Sequence, residues 1–138
     1  KSTIRPKRKW NLKVMVVDDV ETLRRLLARQ LARLGLHVVA DASNGAEALE
    51  YLAGHPPGDT GHPDLILLDN NMPVMDGLEA LTEIRKLEQV GTIGKTIVYI
   101  LTADEQSETR DKVLHAGANG FLTKPLEPSE ILKIADEA

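Results

Sequence analysis

Hydrophobic and polar positions along the chain follow two alternating patterns. Short apolar runs rich in valine, isoleucine and leucine predict strands, and longer stretches with apolar residues at helical spacing separate them. In residues 21–34, leucines recur on one helical face with arginines opposite, and Gly35 follows as a helix-ending residue. The predicted strands are residues 13–17, 37–42, 65–68, 96–101 and 120–123. The predicted helices are residues 21–34, 45–53, 76–87, 105–116 and 128–137.

The alternation of strands and helices predicts an α/β fold. Apolar strands that are continuous rather than alternating are typical of a parallel sheet covered on both faces. Right-handed crossovers between such strands produce an open, doubly wound (βα)5 sheet of five strands. Two segments rich in glycine and proline, residues 54–63 and 90–95, are expected to be surface loops.

Length and composition narrow the function classes. A chain of 138 residues is expected to form one domain. The absence of cysteine excludes a disulfide scaffold, a thiolate zinc site and a cysteine nucleophile. The apolar runs are far shorter than the roughly 20 residues that span a bilayer, and no secretory signal is evident. We therefore expect no membrane insertion and a cytoplasmic location.

The charge distribution divides the chain into two parts. Residues 1–13 carry six basic side chains and no acid, whereas the rest carries 11 basic side chains against 21 acidic ones, which gives −10. This contrast predicts a basic leader or linker over residues 1–11 and a domain over residues 12–138. Because nucleic acid binds cationic surfaces, the acidic domain itself is not expected to bind nucleic acid.

Polar side chains follow four of the five predicted strands. Asp18 and Asp19 follow the first strand, Asp69 the third, Thr102 the fourth and Lys124 the fifth. The carboxyl ends of parallel strands form one ligand-binding edge, so these groups are expected to converge. Three carboxylates in one crevice repel each other, and Mg²⁺ is the hard cation that such oxygen ligands suit. An aspartate in this setting is able to attack phosphorus and form an aspartyl phosphate.

These residues carry a resemblance to a known family. The segment 69–77, DNNMPVMDG, together with the pairs at 18–19, 102–103 and 124–125, resembles the receiver domains of two-component signalling. The resemblance covers about residues 12–137. It implies a flavodoxin-like sheet with strand order 2-1-3-4-5 and a cis bond between Lys124 and Pro125.

The resemblance also implies a role for each residue of the phosphorylation site. Asp69 would be phosphorylated. Asp19, Asp69 and the backbone carbonyl of Asn71 would bind Mg²⁺, with Mn²⁺ as an alternative ion, and Asp18 would act largely through a metal-bound water. Lys124 would pair with Asp69 or its phosphoryl group.

Four positions are implied to control the response to phosphorylation. Thr102 and Phe121 would form the switch, with phenylalanine standing where the family commonly has tyrosine. Asn71 and Asp104 would tune the lifetime of the phosphoryl group.

The implied function is a signalling switch rather than an enzyme, although such a domain assists its own phosphorylation and dephosphorylation. The phosphoryl group would come from a phosphohistidine on a histidine kinase or a histidine phosphotransfer protein and would change the face built by helix 4, strand 5 and helix 5. The long loops resemble those of receivers in hybrid histidine kinases, and the full-length protein would then be such a kinase. The oligomeric state is undecided between a monomer and a dimer.

The same residues also permit other interpretations. A degenerate receiver that only docks to a partner is the main alternative. An aspartate-nucleophile phosphatase would need a second aspartate where Asn71 stands, and a flavin-binding module would need a phosphate-binding loop where Asp18 and Asp19 stand. The acid pair on its own could serve only as a helix cap, and Thr102 could be purely structural.

Overall fold

The computed structural model describes residues 12–103 and 107–137, which form five strands and five helices in alternation. The strands are β1 (Lys13–Val17), β2 (His37–Ala42), β3 (Leu65–Asp69), β4 (Ile97–Thr102) and β5 (Gly120–Thr123). The helices are α1 (Glu21–Arg33), α2 (Gly45–Gly54), α3 (Gly77–Gln89), α4 (Ser107–His115) and α5 (Pro128–Glu137). None of the helices in these residues is long and apolar enough to cross a membrane. The predicted leader, residues 1–11, and Asp104 lie outside the described residues.

The strands form one parallel sheet in the order β2-β1-β3-β4-β5, which confirms the predicted fold. The central strands are buried on both faces because their side chains enter two separate cores. Met15 and Val17 of β1 pack with α2, α3 and α4 on one face, whereas Val14 and Val16 pack with α1 and α5 on the other. This arrangement explains why the central strands are apolar without alternation.

Several predicted boundaries differ from the observed ones by one or two residues. β3 extends to Asp69 and β4 to Thr102, so both side chains belong to the last residue of a strand rather than to the loop that follows. α3 begins at Gly77 because Asp76 is its N-cap: the Asp76 carboxylate accepts from Glu79 N at 2.9 Å, and Glu79 Oε1 accepts from Asp76 N at 3.1 Å. The two bonds form a capping box at the N-terminus of α3, so the helix begins at the residue after Asp76.

A polar network fixes the opposite edge of the sheet. The Arg85 guanidinium donates two bonds of 2.8 Å to Glu88 and one of 2.9 Å to the carbonyl of Thr96, just before β4. It also donates to the carbonyl of Gly117 and to Asn119 Oδ1, both at 2.8 Å, in the connection between α4 and β5. These bonds hold the start of β4 close to the start of β5; at the far end, Thr102 is the last residue of β4 and Lys124 follows β5 directly.

Candidate functional site

Three carboxylates meet at the carboxyl edge of the sheet. Asp18 and Asp19 follow β1 directly, and Asp69 ends β3, the neighbouring strand. One carboxylate oxygen from each of the three lies within 4.8 Å of the other two. Asp18 and Asp69 are each 4% exposed, whereas Asp19 is exposed. The topology therefore brings together side chains that are about 50 residues apart in the chain.

The Asp18 backbone and side chain are held by neighbouring elements. Its N–H donates to the carbonyl of Ala42 at 3.0 Å, and its Oδ1 accepts from Val20 N at 2.9 Å. Val20, and neither aspartate, is the N-cap residue of α1, and it makes no side-chain cap bond. The cap interpretation of the acid pair thus accounts for one oxygen of Asp18 and leaves the carboxylate of Asp19 unexplained.

The loop between β3 and α3 starts at Asp69 and lies beside the three carboxylates of Asp18, Asp19 and Asp69, which we call the acidic cluster. A Cβ on Gly77 would lie 2.5 Å from the backbone oxygen of Asp69, so only glycine fits there. Val74 has φ = 70° and is 81% exposed. A β-branched residue rarely adopts this left-handed conformation, so the loop is strained at Val74. Asn71 is exposed in the same loop, two residues after Asp69.

Lys124 brings a cation to the cluster from the end of β5. Its Nζ lies 2.9 Å from Asp69 Oδ1 and 3.6 Å from Asp18 Oδ2. The Lys124 N–H donates to the carbonyl of Thr102 at 2.8 Å, which places the lysine beside the end of β4. The Lys124–Pro125 peptide bond is cis, as the resemblance implied.

Burial and charge shift the pKa values of the central pair. Burial raises the pKa of Asp69, the hydrogen bond and charge of Lys124 lower it, and Asp18 and Asp19 raise it, so that it lies above the ordinary value of 3.8. Burial lowers the pKa of Lys124, but the hydrogen bond and charge of Asp69, with Asp18, raise it above 10.5. The ionised form of Asp69 is therefore less favourable in the folded chain than it is in water, whereas Lys124 stays charged at neutral pH.

The donor set fits a hard divalent cation. Three carboxylates and one ammonium leave the edge of the sheet with an excess of negative charge. Mg²⁺ takes oxygen ligands at about 2.1 Å in octahedral geometry, so the oxygens bound to one ion lie roughly 3–4 Å apart. The spacing of Asp18, Asp19 and Asp69, within 4.8 Å, is close to this requirement. Mn²⁺ shares the preference for oxygen ligands.

The predicted switch residues lie at different distances from the cluster. Thr102 is fully buried at the end of β4, at the same edge as Asp69 and Lys124. Phe121 lies earlier in β5, half-buried against the core, with the guanidinium carbon of Arg110 in α4 4.8 Å from its ring centroid. The structure therefore brings Thr102 to the acidic edge and leaves Phe121 under α4.

The prediction that all arginines of α1 lie opposite its leucines was wrong. Arg24 is 13% exposed and its Nη1 donates a bond of 2.7 Å to the carbonyl of Asp18. Leu23 and Leu26, in contrast, are 48% and 50% exposed. Arg24 lies three residues before the buried Leu27 and seven before the buried Leu31, so helical spacing places it on their face. Grouping all arginines together by residue type missed it.

The exposed leucines of α1 line a groove that ends at the acidic cluster. The groove has a volume of about 380 Å³ and runs between α1 and the connection from β5 to α5. Its lining residues are Asp18, Leu23, Leu26, Leu27, Gln30, Leu101, Lys124, Pro125 and Leu126. Asp18 of the cluster and Lys124 beside it are among these residues, so the apolar groove and the charged site are continuous.

Comparison with known proteins identifies the family. Residues 14–136 match the family model of the response regulator receiver domain. The chain is 33% identical over 121 residues to the chemotaxis protein CheY of Bacillus subtilis (strain 168), a match that covers 88% of this chain and 92% of CheY. It is 38% identical over 122 residues to the autoinducer 2 sensor kinase/phosphatase LuxQ of Vibrio vulnificus (strain YJ016), which covers 87% of this chain but 13% of LuxQ.

The fold is also similar to that of solved receiver structures. One is the co-crystal structure of the Saccharomyces cerevisiae histidine phosphotransfer signaling protein Ypd1 and the receiver domain of its downstream response regulator Ssk1. The TM-score is 0.79 at 28% identity, with 92% of this chain and 88% of that chain covered. The sequence match over residues 14–136 and this structural similarity agree, and the chain belongs to the family of response regulator receiver domains of two-component signalling.

Proposed function

We propose that this chain is a phosphoacceptor switch, in which the carboxylate of Asp69 takes a phosphoryl group from a phosphohistidine. One observation carries the proposal: Asp69 lies within 4.8 Å of the carboxylates of Asp18 and Asp19 and accepts a 2.9 Å hydrogen bond from Lys124 at the ligand-binding edge of the sheet. A carboxylate nucleophile, a group of oxygen ligands for a cation and a charged donor thus share one crevice.

The proposed transfer is an in-line displacement at phosphorus. A carboxylate oxygen of Asp69 forms the new P–O bond, while the P–N bond to the donor imidazole breaks and its electron pair stays on the imidazole nitrogen. Asp19, Asp69 and the carbonyl of Asn71 would hold Mg²⁺, with Asp18 acting through a bound water. The ion would neutralise charge on the phosphoryl oxygens. Lys124 would stabilise a second phosphoryl oxygen.

The proposed response to phosphorylation runs through the end of β4. The Thr102 hydroxyl would donate a hydrogen bond to a phosphoryl oxygen, and Phe121 would shift with it, which would change the face built by α4, β5 and α5. Asn71 and Asp104 would control the access of water to the phosphoryl group. The domain would thereby assist its own phosphorylation and dephosphorylation without acting on a separate substrate.

The proposed donor is a histidine kinase or histidine phosphotransfer protein in the cytoplasm. The similarity to Ssk1, whose receiver domain was crystallised with the phosphotransfer protein Ypd1, supports such a partner. The match to a segment of LuxQ, a sensor kinase/phosphatase, is compatible with a place inside a hybrid kinase. The groove lined by Leu23 and Leu26 leads to Lys124, so an apolar helix of the donor placed there would bring its histidine to the cluster.

The direct test is phosphorylation in solution. The chain is incubated with Mg²⁺ and acetyl phosphate, and its intact mass is recorded beside Asp69→Asn and a sample with excess EDTA. We expect one added phosphoryl group in the parent with Mg²⁺ and none in either control. If the mass increases neither with acetyl phosphate nor with any of a series of phosphohistidine donors, the proposal is contradicted. The receiver that only docks to a partner is then favoured.

The groove makes a separate prediction about the protein donor. Replacing both Leu23 and Leu26 with serine is expected to lower the rate of transfer from phosphorylated Ypd1 about fivefold to tenfold, because two exposed apolar contacts of the interface are lost. Uptake from acetyl phosphate should be unchanged, since neither leucine belongs to the acidic cluster. Rapid-quench assays with the two donors measure both rates.

The matched control is Val90→Ser, which removes an apolar side chain that is 74% exposed at the end of α3, at the opposite edge of the sheet. It should leave both rates unchanged. If the double leucine variant lowers the rates with both donors equally, or lowers neither rate, the assignment of the groove to binding of the protein donor is contradicted.

A further inference from the structure

Arg24 contacts the backbone of the acidic edge from the first turns of α1. Its Nη1 donates a hydrogen bond of 2.7 Å to the carbonyl oxygen of Asp18. Its buried Nε lies 3.5 Å from Asp41 Oδ1 near the end of β2 and makes no hydrogen bond within residues 12–103 and 107–137. The next residue, Arg25, is 68% exposed and pairs with Glu21 at 2.6 Å on the helix surface. The two arginines therefore have the same charge but different surroundings.

The contact fixes the peptide unit that joins the two aspartates. The carbonyl of Asp18 and the N–H of Asp19 lie in one rigid plane, so a bond to the carbonyl oxygen also orients the residue that follows. The same backbone is held on its other side, where Asp18 N donates to the carbonyl of Ala42 at 3.0 Å. In the described part of the chain the Asp19 carboxylate itself has no hydrogen bond or ion pair, so the backbone is what fixes the position from which this side chain starts.

We propose that Arg24 is a positioning residue for the metal site. By holding the peptide between Asp18 and Asp19, it directs the Asp19 carboxylate toward the point that the carboxylates of Asp18 and Asp69 also face. Asp41 would in turn keep the guanidinium in place. The inference rests on the proposed function, because the Mg²⁺ that Asp19 would hold is the ion of the phosphoryl transfer.

Charge and position predict opposite effects on Mg²⁺ binding. A nearby guanidinium repels a cation, so its removal should tighten Mg²⁺ binding if Arg24 acts only through its charge. If Arg24 acts by orienting Asp19, its removal should weaken binding despite the loss of that repulsion. Residues that orient metal ligands typically contribute about tenfold or more to metal affinity.

The experiment measures Mg²⁺ affinity for the full chain and three variants. The melting temperature is recorded over a series of MgCl₂ concentrations, and its increase gives the dissociation constant. Arg24→Met is expected to raise the Kd for Mg²⁺ about tenfold. Arg25→Met removes the same charge at an exposed position, so it should either leave the Kd unchanged or lower it slightly. Arg24→Lys should lie between Arg24→Met and the parent, because an ammonium donates to one carbonyl but lacks the planar fork.

A second comparison tests whether the effect passes through Asp19. In an Asp19→Asn background the ligand that Arg24 orients is already impaired, so Arg24→Met should weaken Mg²⁺ binding by less than it does in the parent. An equal weakening in both backgrounds would contradict the proposed route.

The outcomes separate this inference from the proposed function. If Arg24→Met melts lower without metal but keeps the parent Kd, Arg24 has only a structural role. If Arg24→Met binds Mg²⁺ more tightly than the parent, Arg24 acts only through its charge. Either result overturns the inference. If Arg24→Met does not fold, a parent-like Kd in Arg24→Lys overturns the inference. A parent chain that binds no Mg²⁺ would overturn both proposals, whereas normal Mg²⁺ binding and phosphoryl uptake with an unaffected Arg24→Met would overturn only this one.

Discussion

Replacing Lys124 with methionine is expected to slow phosphoryl uptake from acetyl phosphate by about 10²–10³-fold, the usual effect of removing one preorganised donor from a reacting oxyanion. Lys124 Nζ lies 2.9 Å from Asp69 Oδ1, so it is already placed beside the nucleophile before any phosphoryl group arrives. The methionine side chain has a similar length but no charge. Rates of mass increase at saturating Mg²⁺ measure the effect.

The ammonium is expected to be charged throughout the reaction. Burial lowers the pKa of Lys124, but Asp69 and Asp18 raise it above 10.5, so the lysine stays protonated at neutral pH. It is therefore able to neutralise charge as the phosphoryl group is transferred, and it does so without a change in its own protonation state. Arginine at this position keeps the charge but changes the geometry, and we expect Lys124→Arg to recover only part of the rate.

Two controls distinguish this role from a loss of structure. Lys86→Met removes a lysine of α3 that is 67% exposed and pairs with Glu83 at 3.3 Å on the surface, and it should keep the parent rate. Mg²⁺ affinity in Lys124→Met should be unchanged or tighter, because a positive neighbour of the carboxylates is gone. Uptake within about tenfold of the parent rate in the methionine variant would contradict the proposed role of Lys124.

The convergence of the acidic residues followed from the sequence because it depends on topology alone. Strands that read as continuous apolar runs predicted a parallel sheet, and parallel strands place their carboxyl ends at one edge. Once the order of the strands was assigned, Asp18 and Asp69 had to lie at the ends of neighbouring strands. Lys124 follows a strand that β4 separates from β3, and its long side chain spans that distance to Asp69. Since that order came from the resemblance, the sequence pattern without it would have left the neighbours of each strand undecided.

The features that sequence reasoning missed depend on the direction of single side chains. The spacing of Leu23 and Leu26 matches a buried helical face, yet both are about half exposed because they lie beside the groove and not over the sheet. Arg24 turns inward because a backbone carbonyl of the loop before α1 is within its reach. Periodicity already places Arg24 on the face of Leu27 and Leu31, but the carbonyl that it meets there depends on the packing of α1 against the sheet.

The switch position shows a different limit. The resemblance identified Phe121, but nothing in the sequence pattern predicted the guanidinium of Arg110 over its ring at 4.8 Å. The two residues are in different elements, α4 and β5, and their contact depends on how that helix lies on the sheet. A cation–π contact of this kind contributes about 0.5–1 kcal/mol at an exposed site, so it helps to define the position of α4.

Replacing Asp69 with asparagine is expected to raise the free energy of unfolding of the metal-free chain at pH 7, by about 0.5–2 kcal/mol as for other single stabilising substitutions, although the variant accepts no phosphoryl group. Burial raises the pKa of Asp69, Lys124 lowers it, and Asp18 and Asp19 raise it, so the net shift is upward from 3.8. The carboxylate is thus less stable in the folded chain than in the unfolded one. Asparagine keeps the shape and an acceptor for Lys124 but removes the charge.

The gain should depend on pH in a defined direction. A carboxyl group whose folded pKa is raised binds its proton more tightly when folded, so its stabilising contribution is present below the unfolded pKa and is lost as pH rises through the folded pKa. Parent and variant should therefore have similar stabilities below pH 3.8, the ordinary pKa of the group, and the advantage of the variant should develop above that value. Urea unfolding at a series of pH values measures the difference.

A control at an exposed carboxyl group and a titration with Mg²⁺ complete the test. Asp111→Asn removes the charge of an exposed aspartate in α4, outside the acidic cluster, and should change the stability by less than about 0.5 kcal/mol at every pH. Mg²⁺ should stabilise the parent far more than Asp69→Asn, by about 2.7 kcal/mol at 100 times its Kd, and so offset or reverse the difference. A variant that is less stable than the parent without metal at pH 7 would show that the pair with Lys124 outweighs the repulsion among the carboxylates. The acidic cluster would then be a stable ion-pair network and not a site held ready for a cation.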